Sequence, residues 1–105
     1  MTIAFVENGV RRQIAVSRIE YLAGEGNYSR IHFVDRGPVL VSYCLKVMEG
    51  QLTDFVRIHK ATLVNPRHIT GVSLGKYRDA SIFLSGGRTL PVSRRRVTLI
   101  SNQLC

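Results

Sequence analysis

Hydrophobic and polar positions alternate in short runs along most of the chain, and turn-forming residues close each run. Ile3 to Val6 and Val10 to Val16 flank Asn8-Gly9, a pair that readily supplies the positive φ angles of a two-residue hairpin turn. Ile19 to Ala23 and Arg30 to Val34 predict two further strands around a loop of Gly24-Glu25-Gly26-Asn27-Tyr28. Asp35-Arg36-Gly37-Pro38 then turns the chain into a strand at Val39 to Val41. The period changes next. Leu45, Met48, Leu52 and Phe55 recur at intervals of three, four and three, which is one face of an amphipathic helix from about Cys44 to Thr53, weakened somewhat by Gly50. That apolar stripe reads as core packing.

The stretch Phe55 to Ile69 is half anchor and half positive surface. Phe55, Val56, Ile58, Leu63, Val64 and Ile69 can face a core, while Arg57, His59, Lys60, Arg67 and His68 leave it densely basic. Pro66 lacks an N–H donor and pushes Asn65 towards an extended conformation, so one continuous element is excluded. The pattern predicts a short strand, a turn exposing His59 and Lys60, and a second extended piece. Beyond it, Gly71 to Gly75 and Ala80 to Leu84 read as strands, and Ser85-Gly86-Gly87 makes a hairpin to Arg88 to Leu90. Pro91-Val92-Ser93 leads into a last helix over Arg94 to Ile100, with Ser93 as N-cap and Val97, Ile100 and Leu104 packing it on a sheet.

These runs of Val, Ile, Thr, Tyr and Phe make the chain mainly β and antiparallel, with one or two short helices. Its 105 residues fit a single domain spanning residues 1–105. The charge sharpens the picture once it is located. The net charge is +8, yet residues 1–54 carry Arg11, Arg12, Arg18, Arg30, Arg36 and Lys46 against Glu7, Glu20, Glu25, Asp35, Glu49 and Asp54, which cancel. All of the excess falls in the second half, where Asp79 is the lone acid. Such an imbalance repels itself and is tolerated where a polyanion neutralises it, so nucleic acid leads as the partner. The predicted last helix reinforces this. Its first turn should carry acids, because backbone N–H groups make it positive, yet Arg94, Arg95 and Arg96 stand there. A phosphate would supply the missing negative charge.

Other chemistry is thinly represented. Cys44 and Cys105 have no metal-ligand or Cys-x-x-Cys spacing, and His32, His59 and His68 have no ligating partner at short range, so no metal and no cofactor is expected. The carboxylates are too scattered for a catalytic set, which argues against an enzyme and against a small-molecule substrate. No apolar run approaches the length needed to span a bilayer, and a reducing, cytoplasmic setting suits the two thiols.

Four segments, taken together, resemble the LytTR family of bacterial DNA-binding domains. They are Ile19-Glu20-Tyr21-Leu22 with Gly24-Glu25-Gly26-Asn27-Tyr28, Leu45-Lys46-Val47-Met48-Glu49, Phe55-Val56-Arg57-Ile58-His59-Lys60 with Leu63-Val64-Asn65-Pro66, and Leu90-Pro91-Val92-Ser93-Arg94-Arg95. The resemblance covers roughly residues 10–101. It implies an elongated set of antiparallel β-sheets and a transcription regulator, often carried behind a receiver domain, whose loops enter successive major grooves. The matching positions are Asn27 and Tyr28, His59 and Lys60, and Arg94 and Arg95. Arg94 or Arg95 could fork onto a guanine edge and Asn27 could read adenine or hold a phosphate. Arg57, Lys60, Arg67, Arg78 and Arg96 would neutralise phosphates and set register. His59 is open between a DNA contact and a structural hydrogen bond beneath its turn.

Two departures accompany the resemblance. Lys60 stands where the family often has Arg or Asn, and a point charge reads bases less selectively than a planar fork. Neither a second domain's length nor a phosphoacceptor region precedes Ile14, so the expectation is either a protein that acts alone or a domain excised from a longer one, and the initial Met leans slightly towards the first. The expected partner is double-stranded DNA, bound by one chain or by a homodimer on repeated sites. RNA or single strands would need stacking platforms, for which Tyr28 and Tyr77 are the good candidates. A basic face that meets an acidic protein is the remaining alternative.

Overall fold

The computed structural model describes residues 1–76 and 79–97. Asn8 and Gly9 hold φ angles of 52° and 77°, so Thr2–Glu7 (β1) and Val10–Ala15 (β2) close into the predicted hairpin. Five strands then build an antiparallel central sheet: Ile19–Glu25 (β3), Tyr28–Phe33 (β4), Val39–Val41 (β5), Val56–His59 (β6) and Thr62–Val64 (β7), in the order β5-β4-β3-β7-β6. The helix Leu45–Gln51 (α1) lies between β5 and β6 in sequence, within the predicted span. Ile69–Leu74 (β8), Ala80–Leu84 (β9) and Thr89–Val92 (β10) form a three-stranded antiparallel sheet in the order β10-β9-β8. The molecule measures 46 × 25 × 20 Å. Among the described residues, no helix is long and apolar enough to cross a membrane.

Strand β8 starts two residues earlier than expected, at Ile69, and three further boundaries differ from expectation. The connection after β3 is a two-residue turn, because Glu25 pairs with Tyr28 and the strands run two residues further than their apolar core requires. Strand β10 continues through Pro91, which pairs with Ser81 at the edge of its sheet, where a residue without an N–H is tolerated. The predicted last helix begins as a single 3-10 turn over Arg94–Arg96. Ser93 precedes that turn, but its hydroxyl caps no backbone N–H and instead meets an Arg96 guanidinium nitrogen at 3.5 Å. Residues 98–105, with Ile100 and Leu104, lie outside the described residues.

The central sheet is apolar on both faces, which gives the protein two cores. On one face Ile19, Leu22, Ile31, Phe33 and Leu63 pack against Ile3, Phe5 and Ile14 of the hairpin, Leu45 and Met48 of α1, and Leu52 just after it. On the other, Tyr21, Ile58 and Val64 pack against Ala80, Ile82, Leu84 and Val92 of the three-stranded sheet, with Val97 against the same cluster. A register shift between Ile19 and Tyr21 makes this possible: it lets Ile19 and Leu22, three apart, share the first core while Tyr21 serves the second.

Asn65 ties the far ends of these elements together. Its side chain donates to the Ile19 carbonyl at 2.9 Å and the Val16 carbonyl at 3.4 Å, accepts the Arg67 N–H at 3.1 Å, and is almost wholly buried. Near that end His32 stacks on Tyr21, with ring centroids 4.2 Å apart and planes within 5°, and the Arg88 guanidinium lies 5.4 Å from the Tyr21 ring centre.

Burial, then the Arg88 and Arg30 guanidiniums, hold the His32 pKa below the usual histidine value, with Glu25 opposing. As pH falls through about 6.5, the unfolded chain therefore takes up this proton before the folded one does. The contribution is complete above about pH 6.5 and declines below it. The urea midpoint is expected to drop between about pH 7.5 and 5.5, above the range in which carboxylates titrate, and to drop less in His32→Gln. Equal slopes in the two proteins would rule His32 out as the cause.

Candidate nucleic-acid interface

Strand pairing gathers four connections at one end of the protein. Ala23 of β3 faces Thr62 of β7, and the Gly24 N–H donates to the Ala61 carbonyl at 2.8 Å, so the β3–β4 and β6–β7 turns open side by side. The Ser93 N–H donates to the Ile58 carbonyl at 2.8 Å, which fixes the start of the Arg94–Arg96 turn next to the end of β6. Leu74 pairs with Ala80 and Ala80 with Val92, so the β8–β9 loop reaches the same end.

All the expected site residues except Arg78 lie among the described residues. Asn27 sits at the tip of the first turn, which Gly26 enables with a φ of 64°, and Tyr28 follows it, 47% exposed. Lys60, Arg94 and Arg95 are exposed, while His59 and Arg96 are half-buried. His59 Nδ1 accepts the Ala61 N–H at 3.2 Å, which supplies the structural bond beneath the turn and leaves the ring proton on Nε2. Arg57 is engaged internally: Nε donates to the His59 carbonyl at 2.9 Å, one terminal nitrogen donates to the Lys60 carbonyl, and the other meets Glu49 Oε1 at 3.0 Å. A single guanidinium thus braces the β6–β7 turn against α1. Arg67 is elsewhere, in the 3-10 turn Pro66–His68 beyond the opposite end of β7, beside Asp54 and Phe55. Arg78 and Tyr77 lie outside the described residues.

The acids at this end are each matched by an arginine. Glu25 Oε2 lies 2.5 Å from Arg30 Nε, and that hydrogen bond, with the Arg30 charge, holds the exposed Glu25 carboxyl below the usual range. Glu49 meets Arg57, and Asp79 lies 3.4 Å from Arg94. Lys46, Lys60, Lys76, Arg95 and Arg96 make no ion pair among the described residues, so the end is strongly positive. The sequence expectations had passed over Lys46 and Lys76. A signal for Lys46 was present, because the first turn of α1 holds a lysine and no acid, the same imbalance that drew attention to Arg94–Arg96. Lys76 carries no comparable mark.

Among the described residues, no group of His, Cys, Asp and Glu could hold a metal ion. What this surface offers is exposed donors and positive charge on several loops. Comparison with known proteins agrees with it. No curated protein sequence matches the chain. A solved LytTr DNA-binding domain of a response regulator from Bacillus cereus is similar in fold, with a TM-score of 0.84 at 18% identity, covering 98% of this chain and 95% of that one. The LytTr DNA-binding domain family matches residues 10–104, slightly beyond the expected span. The chain therefore belongs to the LytTr DNA-binding domain family, and it binds DNA in transcription regulation.

Proposed function

We propose that the chain reads double-stranded DNA in a sequence-specific way as a cytoplasmic transcription regulator, with the turns at Asn27-Tyr28, His59-Lys60 and Arg94-Arg95 entering the major groove. The observation that carries this reading is the convergence, at one end, of basic segments far apart in sequence, with each nearby acid already matched by an arginine. Arg94 or Arg95 forks onto a guanine edge, and Asn27 meets an adenine or a phosphate. Lys60 and Arg96 neutralise phosphates and set register. His59 offers Nε2–H to the DNA while Nδ1 holds the turn. Arg57 positions the His59-Lys60 turn and contributes its charge only at a distance. Arg67 stands apart from this surface. Duplex is favoured over single strands because, among the described residues, only Tyr28 on these turns and Tyr43 beside Ser29 are exposed aromatics at this end, a short platform for stacking bases.

Selection from random duplex DNA, with Arg94→Ala and Lys60→Ala alongside the parent chain at fixed salt, tests the reading. The parent enriches a short motif, and repeats of that motif at constant spacing would mark a homodimer. Arg94→Ala relaxes one position by about 1–3 kcal/mol, while Lys60→Ala weakens all sites evenly and lowers the salt slope by about one. Enrichment of nothing over random duplex, or a preference for single strands in competition, would overturn the proposal.

A further inference from the structure

The end of β3, the β6–β7 turn and the start of α1 enclose a depression of ≈ 360 Å³, whose lining includes Gly24, Gly26, Lys46, Arg57 and Lys60. The end of β3 and the start of α1 stand close, so that a Cβ on Gly24 would touch the Leu45 Cβ at 3.4 Å. No carboxylate lines it. The Arg57 guanidinium is occupied by two backbone carbonyls and Glu49, so its charge is already offset. Lys46 and Lys60 have no such partner among the described residues, and two ammonium groups around one concavity repel each other unless an anion joins them.

We propose that this depression seats one backbone phosphodiester of the bound DNA, held by Lys46 together with Lys60. The proposal rests on the DNA reading above and adds α1 to the binding surface. The chemistry of the lining selects phosphate over the other parts of a nucleic acid. The lining contains no aromatic ring on which a base could stack. In its single planar fork, Arg57, each of the three nitrogens already donates to a protein acceptor, so the fork is not free to lie along a base edge. What remains is point charges with rotatable N–H donors, which suit a phosphate and carry no base preference.

Binding of a duplex carrying the selected motif is measured over a salt series for the parent chain, Lys46→Gln and Lys46→Arg. Lys46 is exposed on α1, and both replacements are good helix formers, so unchanged thermal midpoints are expected. Lys46→Gln should lower the salt slope by about one and weaken binding roughly fivefold near physiological salt, the amount expected for one lost phosphate contact. Lys46→Arg should keep both, and the enriched motif should be the same in all three. A neutral methylphosphonate moved along the duplex should weaken the parent at the seated phosphate and, with Lys60 still in place, cost Lys46→Gln less there than it costs the parent. If the parent binds its motif and Lys46→Gln keeps the full slope, the phosphate seat is wrong and the DNA reading stands. If the parent enriches no motif, the DNA reading fails and the seat with it.

Discussion

Asn65→Asp is expected to cost about 2–4 kcal/mol of stability at neutral pH, lowering the thermal midpoint by roughly 10–20 °C. The replaced side chain is 3% exposed and works as both donor and acceptor. Asp keeps the oxygen that receives the Arg67 N–H, but it sets a second oxygen against the carbonyls of Ile19 and Val16, where Asn offers two N–H groups. Two acceptors lose their donor, and a carboxylate is held away from water. Asn65→Ala leaves the same carbonyls unsatisfied without burying a charge, so it should be the milder change above about pH 6. Because the folded Asp variant resists ionisation, its deficit should shrink as pH falls and the protonated carboxyl regains a donor. Thermal melts of both variants across pH 5 to 8 decide the matter. An Asp variant within about 2 °C of the parent would show that the Asn65 donor carries no weight.

Ile58→Ala should be comparably damaging, at about 2–5 kcal/mol, with Ile58→Val costing only about 0.5–1.5. Ile58 is fully buried between the central and three-stranded sheets, so truncation leaves a cavity where the surrounding strands have little room to collapse. The same residue's carbonyl receives the Ser93 N–H, so the damage should reach the Arg94–Arg96 turn. Urea unfolding gives the stability difference, and hydrogen exchange at the Ser93 amide reports on the turn. An Ala variant losing less than about 1 kcal/mol would mean that the second core repacks freely around this position.

What could be read from the chain beforehand was what local chemistry decides. Asn8-Gly9 carries its own turn geometry, and the spacing of Leu45, Met48 and Leu52 carries the helix. The register shift after Ile19 was invisible, because it exists only to serve two cores that lie on opposite faces of one sheet. Pro91 looked like the end of a strand, and only the position of β10 at a sheet edge makes it acceptable there. Ser93 looked like a cap, but its N–H is drawn to Ile58, and its hydroxyl is left to Arg96. For the surface, basicity was legible and its destination was not. Arg57 and Arg67 read alike in sequence, yet one is folded into a turn and the other sits beyond the opposite end of its strand.

The layer between the two sheets has a consequence for how this protein family can vary. The His59-Lys60 turn hangs from one sheet and the Arg94–Arg96 turn from the other, so the apolar side chains between them act as a spacer. Packed sheets stand about 10 Å apart, and the filling residues set the local value. A larger side chain at Ala80, or a smaller one at Ile82, would shift one basic turn relative to the other without altering any charge on the surface. The separation of the two contacts along a partner is in this sense written in greasy residues that never meet it, and it can drift independently of the residues that do.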